Sequence, residues 1–378
     1  MTKQAPCRVL VTGSNGFIGK NLKIKLSELP GFLVENFVRG DEVAKLDAMI
    51  AQVDVVVHLA GENRPLNESL FHEVNTGLTG RLCDSICKER ERTGRNVRLV
   101  LTSSTQANID TAYGRSKLAA EKLAENLAGI TGNSVKIFRL PGVFGKWCKP
   151  NYNSVVATFC HNVSRGLPVK LHDPEASLRL VYIDDVVSAL VVALQDLSDG
   201  ARRCVVQPEY QIKIGDLLAQ IEAFKDCRTS LMSERVGDGF ARALYATYLS
   251  YMPHGNFLYE VPQYKDSRGV FVEMLKTPDC GQFSYFTAHP NITRGGHYHH
   301  TKTEKFLVLK GKALFFFKNL MTNEVIELCI SGDEAKVVDT IPGWVHSITN
   351  VGEDDMVVML WSSENFDRDR PDTIACRV

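Results

Sequence analysis

The stretch "RVLVTGSNGFIGKNL", residues 8–22, decides the fold. Its first part, "RVLVTG", is a β-rich apolar run that ends on glycine, and residues 19–29, "GKNLKIKLSEL", have the apolar spacing of a helix. Gly13, Gly16 and Gly19 form a G-x-x-G-x-x-G pattern at the junction, with Phe17 and Ile18 inside it. Glycines at such a junction permit a tight turn and close approach of the backbone to a pyrophosphate. The start of the helix adds N–H donors and a favourable dipole. Strand, glycine turn and helix in that order predict a nucleotide pocket, where a bare glycine pattern would be only a turn.

Working outward, apolar runs and helical segments alternate through the first 200 residues. "GFLVENFVR" (31–39), "DVVVHLAG" (54–61), "VRLVLTSS" (97–104) and "SVKIFRLPG" (134–142) read as strands. Segments 43–52, 75–92 and 114–129 read as helices between them. This alternation predicts an α/β Rossmann-type, doubly wound parallel sheet. From about residue 255 the texture changes to short strands separated by Gly, Asp, Asn and Pro, which predicts an all-β barrel or sandwich. The boundary falls where a helical stretch meets Pro253 and Gly255, giving a nucleotide-binding domain over 1–250 and a second domain over 251–378.

Composition narrows the function. The 44 Lys and Arg balance 44 Asp and Glu, so nothing draws the chain to nucleic acid or an anionic membrane. The N-terminus lacks the apolar core and cleavage site of a signal peptide, and no apolar run is long enough to span a bilayer. Ten cysteines are scattered without a C-x-x-C pair, which fits a reducing cytoplasm.

Two groups of residues carry chemistry. The second strand ends in "FVRGDE" (37–42), where Arg39 would meet a ribose 2′-phosphate and so favours NADP over NAD. Within "LVLTSSTQANIDTAYGRSKLAAEKL" (99–123), Tyr113 and Lys117 are four residues apart on a helix and share a face. An ammonium there would lower the tyrosine pKa, so that it exchanges a proton with a substrate oxygen, and Ser104 could bond the same oxygen. In "GGHYHHTKTEKFLVLKG" (295–311), His297 and His299 alternate onto one face of a strand and Glu304 comes five residues later, while "IPGWVHSITN" (341–350) supplies His346. Three imidazoles and a carboxylate suit Zn, Fe, Mn or Ni. Such a metal could polarise a ketone and acidify the neighbouring C–H, or serve structure alone. Tyr298, His300 and Lys302 are adjacent candidates for a base.

These motifs carry resemblances. "TGSNGFIG", "HLAG", "TSS", "YGRSK" and "RLPGVFG" resemble the extended short-chain dehydrogenase/reductases. That likeness implies Gly13, Gly16 and Gly19 on the pyrophosphate, Leu59, Ala60 and Gly61 along the cofactor, and Ser104, Tyr113 and Lys117 in catalysis. Thr105 and Gln106 stand where the family's dehydratases place an acidic pair, which disfavours dehydration. Leu178 stands where the branch often has a phosphate-binding arginine, leaving Arg179 only a possible ligand. The histidine motifs resemble the cupins, which implies His297, His299, Glu304 and His346 as metal ligands inside a small barrel.

The order of these parts, with "FGKWCKPNYNSVVATFC", "ATYLSY", "HHTKTEKFLV" and "RPDT", resembles the CapF family of capsular polysaccharide assembling proteins. That resemblance implies a bifunctional cytoplasmic enzyme of UDP-N-acetyl-L-fucosamine biosynthesis, a homodimer using NADPH and zinc. Its cupin would epimerise C3 of a UDP-2-acetamido-2,6-dideoxy-4-hexulose, and its reductase would then give UDP-2-acetamido-2,6-dideoxy-L-talose. Two other readings stay open: an NADP-dependent sugar reductase with a structural cupin, and a non-catalytic redox-sensing binding protein.

Overall fold

The computed structural model describes residues 5–65, 67–261, 263–266, 269–272, 275, 281–364 and 369–376. By compactness the chain forms two units, one of Met1–Ser154 with Leu178–Gln211 and one of Val155–Ser177 with Ile212–Val378.

The first unit is built on a parallel sheet. Its strands are β1 (Cys7–Thr12), β2 (Phe32–Phe37), β3 (Val55–His58), β4 (Arg98–Ser104) and β5 (Val135–Leu140), with Ala201–Cys204 at the far edge. Their order is β2-β1-β3-β4-β5 and then the edge strand, each pair parallel. The helices between them are α1 (Phe17–Glu28), α2 (Leu46–Ile50), α3 (Leu78–Thr93) and α4 (Ala112–Thr131).

Both faces of the sheet are covered, which is why its strands read as continuous apolar runs. Leu10, Val56, Leu99 and Ile137 point into one core with Leu46 of α2, Leu82 and Ile86 of α3, and Leu127 of α4. The alternate residues Val9, Val11, Val55 and Val57 point the other way and are equally buried. On that side α1 packs with the helix Ile183–Gln195. Connections leave β1 in both directions, so the strand order reverses between β1 and β3. A crevice opens there at the carboxyl ends of the strands.

In the second unit, two five-stranded antiparallel sheets make the barrel. The Glu304–Lys310 strand lies in one sheet, and Thr293–Tyr298 and Trp344–Asn350 pair in the other. Alternation turns Glu304 and Phe306, Phe315 and Phe317, and His346 and Ile348 inward, where they line one cavity. Gly311, with φ of +87°, makes the turn into the next strand; a Cβ there would lie 3.0 Å from the Met356 Cα. Asn350 is fully buried and donates to the carbonyls of Ala288 and Asp354, closing a turn. Helices Val155–Ser164, Ile214–Ser230 and Gly239–Ser250 group with the barrel by compactness. That division cuts the chain differently from the change of sequence texture near residue 250.

Candidate functional site

At the sheet's crevice, Gly13 has φ of +67° and a Cβ on it would lie 2.7 Å from the Ala60 nitrogen. A Cβ on Gly19 would lie 2.5 Å from the Gly13 carbonyl oxygen. Only glycine fits at either place, so the turn presses against Leu59 and Ala60 after β3, with Gly61 next in the chain. Gly16 is the extended residue before α1, with no side chain capping the helix amides. Phe17 and Ile18 open that helix. Thr12 and His58 lock the two strands behind the turn: Thr12 Oγ1 lies 2.7 Å from His58 Nδ1 and accepts from the Ala60 amide. Burial pushes the His58 imidazole down to about 3, and Lys117 acts in the same direction. That ring is neutral at physiological pH.

The loop after β3 is held by Asn75, which bonds both the amide and the carbonyl of Glu62 and donates to Ser116. Asn75 sits in a π-helical segment, Phe71–Gly77, before α3. Such segments recur near functional sites. Lys117 Nζ donates to the Thr102 carbonyl at 3.1 Å, and a Cβ on Gly61 would lie 3.3 Å from that nitrogen. Burial lowers Lys117 to about 8, against the pull of Glu121. The expected fall in the Tyr113 pKa is not found. Burial pushes the phenol up, and the hydrogen bond with Ser104 opposes it only in part. Ser104 and Tyr113 are thus brought together as expected, with Lys117 buried one turn along the same helix.

Arg39 stands exposed after β2 and donates to Glu62 Oε2 at 2.8 Å. Glu62 Oε1 also receives the Tyr152 hydroxyl and the Asn63 amide. Asp41 is engaged elsewhere, accepting from the Val38 amide at 2.7 Å. Sequence reading missed Glu62, which lies 23 residues from its partner. Arg179 is taken by Glu209 in a bidentate pair at 2.5 and 3.0 Å.

In the barrel, the donor atoms of His297, His299, Glu304 and His346 lie within 4.8 Å of one another. His297 faces His346 across paired strands, after a bulge that starts at Gly295. His299 Nδ1 lies 2.6 Å from the Asp372 carbonyl and Nε2 lies 3.1 Å from Glu304 Oε2. The carbonyl can only accept, so Nδ1 carries a proton, and a cation bound between Nε2 and Glu304 would meet the Nε2 lone pair. His346 Nε2 is buried 3.4 Å from the same carboxylate oxygen, without hydrogen-bond geometry. Burial, then the neighbouring imidazoles, lower His297 to about 4. Neutral imidazoles beside a carboxylate, one with an unpartnered inward nitrogen, fit a divalent first-row cation.

Three of these donors face a cavity of about 200 Å³ walled by Phe286, Phe306 and Phe317. Tyr298, His300 and Lys302 are not in its wall. Tyr298 alternates to the other side of its strand, and Lys302 Nζ is tied to Thr373 Oγ1 at 2.7 Å. The Asp372 carboxylate takes the amides of His300, Thr301 and Lys302 at 2.7–2.9 Å, fixing the loop between His299 and Glu304. Asp372 was legible only as part of "RPDT", with no role attached.

Residues 9–207 match the model of the NAD dependent epimerase/dehydratase family, and residues 264–374 match the polysaccharide biosynthesis C-terminal domain. The chain is 52% identical over 371 residues to the UDP-2-acetamido-2,6-beta-L-arabino-hexul-4-ose reductase of Pseudomonas aeruginosa, covering 98% of this chain and 99% of that one. The crystal structure of capsular polysaccharide assembling protein CapF from Staphylococcus aureus aligns with a TM-score of 0.64 at 36% identity, over 98% of this chain and 100% of that one. A structure of CapF with the inhibitor 3-isopropenyl-tropolone aligns with a TM-score of 0.61 at 34% identity, with the same coverage.

Proposed function

We propose, from the premise that this chain belongs to the NAD dependent epimerase/dehydratase family and along its length to the CapF family, that it converts a UDP-linked keto sugar in two steps. The barrel epimerises C3 of a UDP-2-acetamido-2,6-dideoxy-4-hexulose. The nucleotide-binding unit then reduces C4 with NADPH to UDP-2-acetamido-2,6-dideoxy-L-talose, on the way to UDP-N-acetyl-L-fucosamine. Epimerisation must come first, because it needs the acidity that the ketone confers on the C3 hydrogen.

The observation that carries the two-step reading is the four-donor cluster, three of whose donors face a cavity. A chain that only reduced would have no use for it, and a purely structural metal would not need donors exposed to that cavity. Zinc bound there would supply Lewis acidity to the C4 carbonyl. His297, His299, His346 and Glu304 would hold it, the Asp372 carbonyl keeps His299 in the ligating tautomer, and the phenylalanine walls limit water.

NADPH bound in the other site would supply the hydride to C4. Gly13, Gly16 and Gly19 let the backbone approach its pyrophosphate, with Phe17 and Ile18 in the first turn. Leu59, Ala60 and Gly61 line it, and Arg39 meets the 2′-phosphate. Tyr113 gives its proton to the C4 oxygen, Ser104 hydrogen-bonds that oxygen, and the Lys117 ammonium favours the phenolate left behind. The functional modules follow residues 1–250 and 251–378, in line with the two family matches. The enzyme works as a cytoplasmic homodimer; the scattered cysteines support the compartment.

The test is product analysis with the UDP-4-keto sugar and NADPH. Wild type should give the C3-inverted, C4-reduced sugar. Glu304→Gln should give no inverted product. A wild-type product that keeps its original C3 configuration would reduce the reading to a plain reductase.

A further inference from the structure

Behind the Ser104, Tyr113 and Lys117 set lies a buried ion pair that the mechanism does not use. Glu121 is fully buried on α4, one turn after Lys117. Its carboxylate takes Ser103 Oγ at 2.5 Å, Arg139 Nε at 2.8 and 3.1 Å, and Arg139 Nη2 at 2.6 Å. Arg139 Nη1 donates to Asn108 Oδ1 at 2.6 Å. Ser103 precedes Ser104 at the end of β4, Asn108 lies in the short turn Thr105–Asn108 that leads toward Tyr113, and Glu121 shares α4 with Tyr113 and Lys117. One pair therefore ties together the two elements that carry the catalytic set, β4 and α4, and the turn between them. A buried ion pair adds little net stability over apolar packing, but bidentate geometry fixes position.

We infer that Arg139 and Glu121 are positioning residues of the reductase site, holding β4, the turn and α4 in the register that brings Ser104 and Tyr113 to one oxygen, with Lys117 one turn along α4. This rests on the reductase reading above. The Glu121 charge also acts on Lys117, favouring its ammonium against burial. Of the other groups around them, His58 on β3 is kept neutral by burial. Arg139 on β5 and Arg203 on the edge strand face Glu121, with Glu125 beside Arg203.

The experiment compares Glu121→Gln, Arg139→Met and Arg139→Lys in the full chain, by the kcat and KM of NADPH oxidation with the UDP-4-keto sugar, across pH. Glu121→Gln should lower kcat at least tenfold with the KM for NADPH within twofold, and should move the alkaline fall of kcat to lower pH. Arg139→Met should lose kcat similarly, and Arg139→Lys should recover part of it. A lowered melting temperature with unchanged kcat and an unmoved alkaline limb would overturn the inference, showing a merely structural pair. A wild type that oxidises no NADPH overturns the reductase reading and this inference with it.

Discussion

If Tyr113 and Lys117 act as the proposed proton-transfer pair, burial sets their working pH. Lys117 sits near 8 because its ammonium is desolvated. The mechanism needs it charged, so kcat for NADPH oxidation should fall as pH rises through about 8, which a pH series would show. A flat profile to pH 9.5 would contradict that role. Tyr113→Phe removes the proton donor and should cost on the order of a hundredfold or more in NADPH oxidation. His58 makes a stability prediction of opposite sense. Its folded value is about 3 against an ordinary 6.5, so below pH 6.5 the unfolded chain binds a proton that the folded chain refuses. Its contribution to stability is whole above pH 6.5 and is lost progressively as pH falls toward 3. Urea midpoints should therefore drop between pH 7 and pH 5.

At the scale of elements, the sites depend on turns and loops with no room to spare. A methyl on Gly19 would enter the Gly13 carbonyl and the Ser14 backbone, so Gly19→Ala should abolish NADPH binding as measured by fluorescence titration. The Asp372 carboxylate holds the loop between His299 and Glu304 through three amides. Asp372→Ala should weaken zinc binding about 10–100-fold, read by competition with a chelating dye, while leaving NADPH binding unchanged.

These elements also show what sequence could and could not disclose. The glycine turn, Tyr113 with Lys117, and His297 with His299 and Glu304 were legible because fixed local spacing puts them on one turn, helix face or strand face. Asp372 under His299, Glu62 under Arg39 and Arg139 under Glu121 were not, because only tertiary pairing brings them together. The rise in the Tyr113 pKa was missed for a similar reason: burial is a property of the packed site, whereas the neighbouring lysine is visible in the sequence.

In the molecule as a whole, the proposed function has two chemistries share one ketone. Among the described residues, no helix is long and apolar enough to cross a membrane. The central claim is that the barrel exchanges the C3 hydrogen before any reduction. The most direct measurement incubates the zinc-loaded protein with the UDP-4-keto sugar in D2O without NADPH and follows C3 by NMR. Deuterium is expected at C3 in wild type and in Tyr113→Phe, and none in His297→Ala. No deuterium at C3 in the zinc-loaded wild type would contradict the claim.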